Sequence, residues 1–152
     1  MADTLTPERA AERLRGLSGD VRAAVLLDAA GSLAGASDDD YDHAALGELA
    51  RRLFEEVDRA TRDWDADPAE QVEVQVPGGA VFGSRTPRWT LVAVARRGAL
   101  SSLMLYDLRA VLRELDGGPP IRRSVSAAEP APGPDTEEHA AEELPMPELG
   151  GE

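Results

Sequence analysis

Residues 41–64 read YDHAALGELARRLFEEVDRATRDW. Leu46, Leu49, Ala50, Leu53, Val57, Ala60 and Trp64 recur at helical spacing within a stripe about 100° wide, which predicts one long amphipathic helix laid on a sheet. Beside that stripe runs a second row, Gly47, Phe54 and Thr61, spaced seven residues apart. Phe54 is large and apolar, and Gly47 would let another backbone approach closely. The row therefore reads either as a helix–helix seam, including one with a second copy of the chain, or as a widening of the buried face. On the outer face Glu48–Arg52, Glu55–Arg59 and Asp58–Arg62 place an acid four residues before a base, an arrangement worth about 0.2–0.5 kcal/mol per pair.

The flanking segments supply the sheet. Upstream, Thr6-Pro7 opens a first helix, with Thr6 suited to the cap and Pro7 to the first helical position. Val21–Asp28 (VRAAVLLD) is apolar on both faces, as a covered central strand would be. Val21, Ala23, Val25 and Leu27 are expected to share one face. Ala29-Ala30-Gly31 turns the chain into a short partner strand, 32–36. Downstream, Gln71–Val76 alternates strictly, with Val72, Val74 and Val76 directed to a core. Residues 80–85 and 89–95 complete an antiparallel meander. From Ser101, SLMLYDLRAVLREL is a second amphipathic helix.

The fold is expected to span 1–118, and 119–152 is expected to be a disordered tail. That tail holds seven of the eleven prolines and has a net charge of −6, from two arginines and eight acidic residues. It is too polar and Pro-rich to form a core. Within it, 136–144 could form a nascent helix, and LPMPEL at 144–149 could dock a partner.

Composition narrows the function classes. The formal net charge is −13, and all sixteen basic residues are arginine, which argues against a nucleic-acid binder needing a basic stripe. The absence of cysteine rules out disulfides, thiolate metal sites and cysteine nucleophiles. Two histidines make a histidine zinc site a poor fit. The Asp38–Asp40 run is read as a helix cap rather than a cation site, since the calcium-loop pattern of Gly at position six and Glu at twelve fails. A P-loop needs a lysine that the chain lacks, and the glycines of 78–83 do not match GxGxxG. Arg85, Arg88, Arg96 and Arg97 form a local basic excess at strand ends. They either meet an acidic partner or phosphate, or keep the strand ends solvated. No catalytic constellation, cofactor site or metal site is expected. The charged N-terminus and the lack of a long apolar run predict a cytoplasmic protein.

The order helix, two strands, long helix, three strands, helix resembles the roadblock/dynein light chain family. The resemblance is carried by VRAAVLLDAAGSLAGAS, ELARRLFEEVD, QVEVQV, WTLVAVA and the closing helix, and covers roughly 5–115. The closing helix departs from it, opening on SSLMLYDLR rather than on a small-residue, Asn-containing start, and so does the Asp-rich lead into the long helix. The resemblance implies an α+β, profilin-like sandwich: a five-stranded antiparallel sheet with the long helix on one face and the terminal helices on the other. It also implies a homodimer through the long helix and the edge strand that follows it, with Gly47, Phe54, Thr61, Val72 and Val74 as interface residues. Finally, it implies a non-enzymatic regulator or scaffold of a small Ras-like GTPase, for which Arg51, Glu55, Arg59 and Arg62 are the outward partner-binding candidates. Two alternatives stand beside this: a small-ligand sensor with PAS-like or profilin-like layering, and a purely structural self-associating module.

Overall fold

The computed structural model describes residues 3–120. Eight elements follow one another: α1 (Pro7–Leu17), β1 (Val21–Asp28), β2 (Leu33–Ala36), α2 (His43–Thr61), β3 (Gln71–Val76), β4 (Gly79–Arg85), β5 (Trp89–Arg96) and α3 (Ser101–Leu115). The strands form one antiparallel sheet in the order β2-β1-β5-β4-β3. The expected five-stranded α+β sandwich is what the chain adopts. None of the described helices is long and apolar enough to cross a membrane. The tail readings at 136–144 and 144–149 lie outside the described residues.

Each sheet face has its own core. Ala10, Ala11 and Leu14 of α1 and Met104, Leu108, Val111 and Leu112 of α3 close over Ala24, Leu26, Phe82, Leu91 and Ala93. On the opposite face Leu46, Ala50 and Phe54 of α2 close over Ala23, Val25, Leu27 and Val92. β1 is buried from both sides because alternation sends successive residues into different cores. Val21 breaks the expected alternation. The register against β5 shifts between Val21 and Ala23, and Val21 joins the α1/α3 core with Ala24 and Leu26.

Two local features position α2. Gly31, at φ 84°, makes the tight β1–β2 turn, a left-handed conformation that costs glycine little. Where β2 ends, the Ala24 amide donates to Ser37 Oγ at 2.8 Å, so a buried side chain continues the edge of β1. Gly35 allows β2 to lie against α1, because a Cβ there would collide with the Pro7 carbonyl. At α1, Thr6 makes no side-chain cap bond. Pro7 removes one of the amides a cap would satisfy, which leaves that cap less to do.

Candidate partner-binding surface

Asp39, in the expected Asp-rich lead, organises the start of α2. It accepts from Ser37 Oγ (2.5 Å) and the Tyr41 amide (2.9 Å), and pairs with His43 Nε2 (2.8 Å). Burial opposes its charge, but these hydrogen bonds outweigh that effect and hold its pKa below the usual carboxylate value. Asp42 is the N-cap, accepting from the Ala45 amide at 3.0 Å. The acidic run is thus a cap and brace, and no metal-binding cluster of three or more candidate ligands occurs among the described residues.

The buried face of α2 is rotated from the stripe expected of it. Leu46, Gly47, Ala50 and Phe54 are buried, whereas Leu49 is 46% exposed and Trp64 lies beyond the helix end at 66%. Phe54 projects across the sheet onto β4, where a Cβ on Gly83 would come within 3.0 Å of its ring. Gly47 sits over Leu27 and Leu33. Gly47 and Phe54, two of the residues assigned to a dimer seam, are therefore packed in the protomer's own core, and the widened-face reading describes them. Thr61 is half-buried and donates to the Val57 carbonyl at 2.9 Å. The physical reason is the strand glycine: with no side chain at Gly83, the ring finds a slot that helical periodicity cannot foresee.

Rotation leaves an apolar flank uncovered. At 100° per residue, Leu49, Leu53 and Ala60 line the side of α2 away from Arg51 and Glu55. Leu49 and Ala60 are exposed and Leu53 is half-buried. On the same sheet face, Val72 packs partly against the α2 core, while Val74 and Val76 of edge strand β3 are 36% and 48% exposed. β3 pairs only with β4 among the described strands, so its outer backbone edge is open.

The charged residues of α2 form a lattice on the other side. Arg51 donates to Glu48 (2.6 and 3.2 Å) and Glu55 (2.7 Å), and Arg52 donates to Glu48 (2.9 Å). The hydrogen bonds from Arg51 and Arg52 lower the Glu48 pKa, and the same Glu48 contact chiefly raises that of Arg51. Glu48–Arg52 forms as expected, but the other two expected pairs do not. Arg59 takes Glu56 at 3.0 Å, and Asp58 is drawn to Arg85 at 2.7 and 2.9 Å. Arg85 also donates to the Ala69 carbonyl and lies 4.6 Å from the Phe54 ring centroid. Its hydrogen bonds depress the Asp58 pKa, against the opposing effect of burial. Arg85 is thus a brace between β4, α2 and the linker rather than a free strand-end cation, a role that only the folded chain reveals. Arg51, Glu55, Arg59 and Arg62 lie within an 80° arc at helical spacing, and all but half-buried Arg51 are exposed.

No protein-family profile matches the sequence, and no curated protein sequence does. Several solved structures match the fold. A Roadblock/LC7 domain from Streptomyces avermitilis superposes with a TM-score of 0.66 at 22% identity, covering 74% of this chain and 97% of that one. MglB from Myxococcus xanthus superposes at 0.64 with 13% identity, covering 72% and 84%. Profilin from Schizosaccharomyces pombe superposes at 0.55 with 15% identity, covering 74% and 98%. At these identities the likeness is one of architecture, and this chain has the fold of the Roadblock/LC7 domains.

Proposed function

We propose that this chain is a non-enzymatic regulator or scaffold of a small Ras-like GTPase that works as a homodimer. The observation that carries the reading is the division of α2 into three faces: one buried, one apolar and uncovered, and one charged. The apolar flank (Leu49, Leu53) with the open edge of β3 (Val74) suits a second copy of the chain. The charged face suits a partner protein. Arg51 and Glu55 hold one another in place, so less side-chain entropy is lost when a partner docks. The likeness to MglB and to Roadblock/LC7 domains supports the same reading, as does the sequence resemblance described above. The folded unit is taken to end near 118, with 119–152 outside it. The sensor alternative is less well supported. The larger space of about 400 Å³ beside the linker is lined by Asp67, Pro68, Ala69, Glu70, Arg85, Thr86 and Pro87, with no large apolar side chain among them. The cavity between α2 and the β1–β2 turn measures about 220 Å³, below the roughly 300–1,000 Å³ of ligand pockets. It is bordered by Arg51 and Arg85, both already ion-paired.

The test is affinity capture by the full chain from lysate of its source organism, with GDP or a non-hydrolysable GTP analogue, read by mass spectrometry. The expected result is a small GTPase retained in one nucleotide state and lost at least tenfold with Arg51→Glu/Glu55→Arg. Equal recovery of the same proteins by parent and variant in both nucleotide states overturns the proposal.

A further inference from the structure

The opposite side of the molecule carries a second surface that this function does not use. α3 buries Met104, Leu108, Val111 and Leu112, and its outer face should therefore be polar. Instead Leu103 is 39% exposed and Tyr106 59% exposed. Arg109 and Arg113 follow on the same face and are also exposed. Leu103, Tyr106 and Arg109 form an i, i+3, i+6 row, and Arg113 adjoins it one turn on. The outer face of α3 thus runs from apolar to basic.

The basic end borders a cavity. Arg109 and Arg113, together with Gln71 and Ser84, line a space of about 190 Å³ between α3 and the β3–β4 pair. Ser84 is only 2% exposed, and its hydroxyl has no hydrogen-bond partner among the described residues. Arg109 and Arg113 likewise have no acidic partner among them. Arg51, Arg52, Arg59 and Arg85 are paired with carboxylates. Arg9, Arg22, Arg62 and Arg97 form no ion pair among the described residues either, and what sets Arg109 and Arg113 apart is that they line one cavity together. In a chain of net charge −13, two arginines with no acidic partner among the described residues, beside a serine that lines the same space, make a site for an anion. Gln71 donates to the Leu105 carbonyl at 3.3 Å, which fixes the wall between strand and helix. Glu70 also lines the cavity and would oppose a dianion more than a single carboxylate.

We propose that the outer face of α3 binds an acidic peptide segment of a partner protein, with a carboxylate held by Arg109, Arg113 and Ser84 and apolar side chains laid on Tyr106 and Leu103. Leu103 and Arg113 are ten residues apart, about 15 Å along the helix. An extended peptide covers that in four or five residues at about 3.3 Å each. The chemistry is therefore one carboxylate for the cavity and a second acid for the exposed arginine heads outside it, then a short spacer and two apolar residues. A free phosphate would need the cavity but not the apolar ridge, so the ridge favours the peptide. The surface lies on the face of the sheet opposite α2, so it stands or falls independently of the GTPase reading.

The test uses the full chain and a fluorescein-labelled ten-residue peptide with two glutamates, a Gly-Ser spacer and two leucines, followed by anisotropy. Saturable binding is expected. It should weaken at least tenfold when the glutamates become glutamines or when the protein carries Arg109→Glu/Arg113→Glu. It should weaken at least fivefold when the leucines become serines or with Tyr106→Ser. These protein positions are exposed, and unchanged thermal midpoints would verify that the variants fold. Absence of binding, or binding indifferent to the arginines, overturns the proposal. So does binding indifferent to Tyr106 and fully displaced by inorganic phosphate, which would reveal an anion site alone.

Discussion

Phe54 shows how one residue sets the arrangement of a whole helix. It is 3% exposed, rests over Gly83 and lies beneath the Arg85 guanidinium. Truncating it removes apolar burial and leaves a void beside a strand glycine that no side chain can fill. Phe54→Ala is expected to cost about 3–5 kcal/mol, typical of buried Phe-to-Ala changes, and urea unfolding would measure it. Were Phe54 a seam residue instead, the variant would alter solution mass and leave protomer stability almost untouched. Arg85 makes the same point in polar terms. From sequence it is one of four strand-end arginines, while in the fold it is committed to Asp58, Ala69 and Phe54. Nothing in its local sequence distinguishes it from Arg88 or Arg97, because its partners lie 16 and 27 residues away.

At the level of elements, α2 lies over β1 with β2 and β5 beside it, which leaves the β3 side of the sheet short of cover. An open edge strand with outward valines is a pairing hazard unless something occupies it. Substituting Leu49→Arg and Val74→Arg together touches only partly or fully exposed side chains. Each protomer should therefore fold, while the pair of charges opposes a second copy. Light scattering is expected to give a dimer mass for the parent and a monomer mass for the double variant. A parent that is already monomeric would remove α2 and β3 as a self-association surface. The α2 elements themselves were legible from residue spacing: the apolar period, the stop before Pro68, and the alternating QVEVQV. The angle at which the helix rolls on the sheet was not, since it depends on which strand residues are glycines.

For the whole molecule, acid is the informative perturbation. Asp39 and Asp58 both have pKa values lowered in the folded chain. A lowered carboxylate pKa contributes stability that is fully present above its unfolded value near 3.8. That contribution is lost as pH falls through the folded value, because the unfolded chain then binds protons more readily. Urea midpoints are therefore expected to hold from pH 7 to about 5 and to fall below about 4. Asp58→Asn should lower the midpoint at pH 7 and make the acid decline shallower. The side chain of Asp58 is 38% exposed, so solvent screening keeps its share modest, on the order of 1 kcal/mol or less. An identical acid decline in parent and variant would mean that the Arg85 brace contributes nothing to the pH dependence.

The sequence by itself determined the order of the eight elements, the two-faced burial of β1, the antiparallel meander and the resemblance to a roadblock domain. These follow from periodicity and turn residues, which act over a few positions and are written locally. The tertiary structure alone decided which side of α2 is core, that Gly47 and Phe54 are spent within the protomer, that Asp58 prefers Arg85 to Arg62, and that α3 turns a row of apolar and basic residues outward beside a cavity lined by Ser84. Each of those depends on groups brought together from distant parts of the chain, where the shape of a neighbouring strand and the competition among possible partners outweigh local spacing.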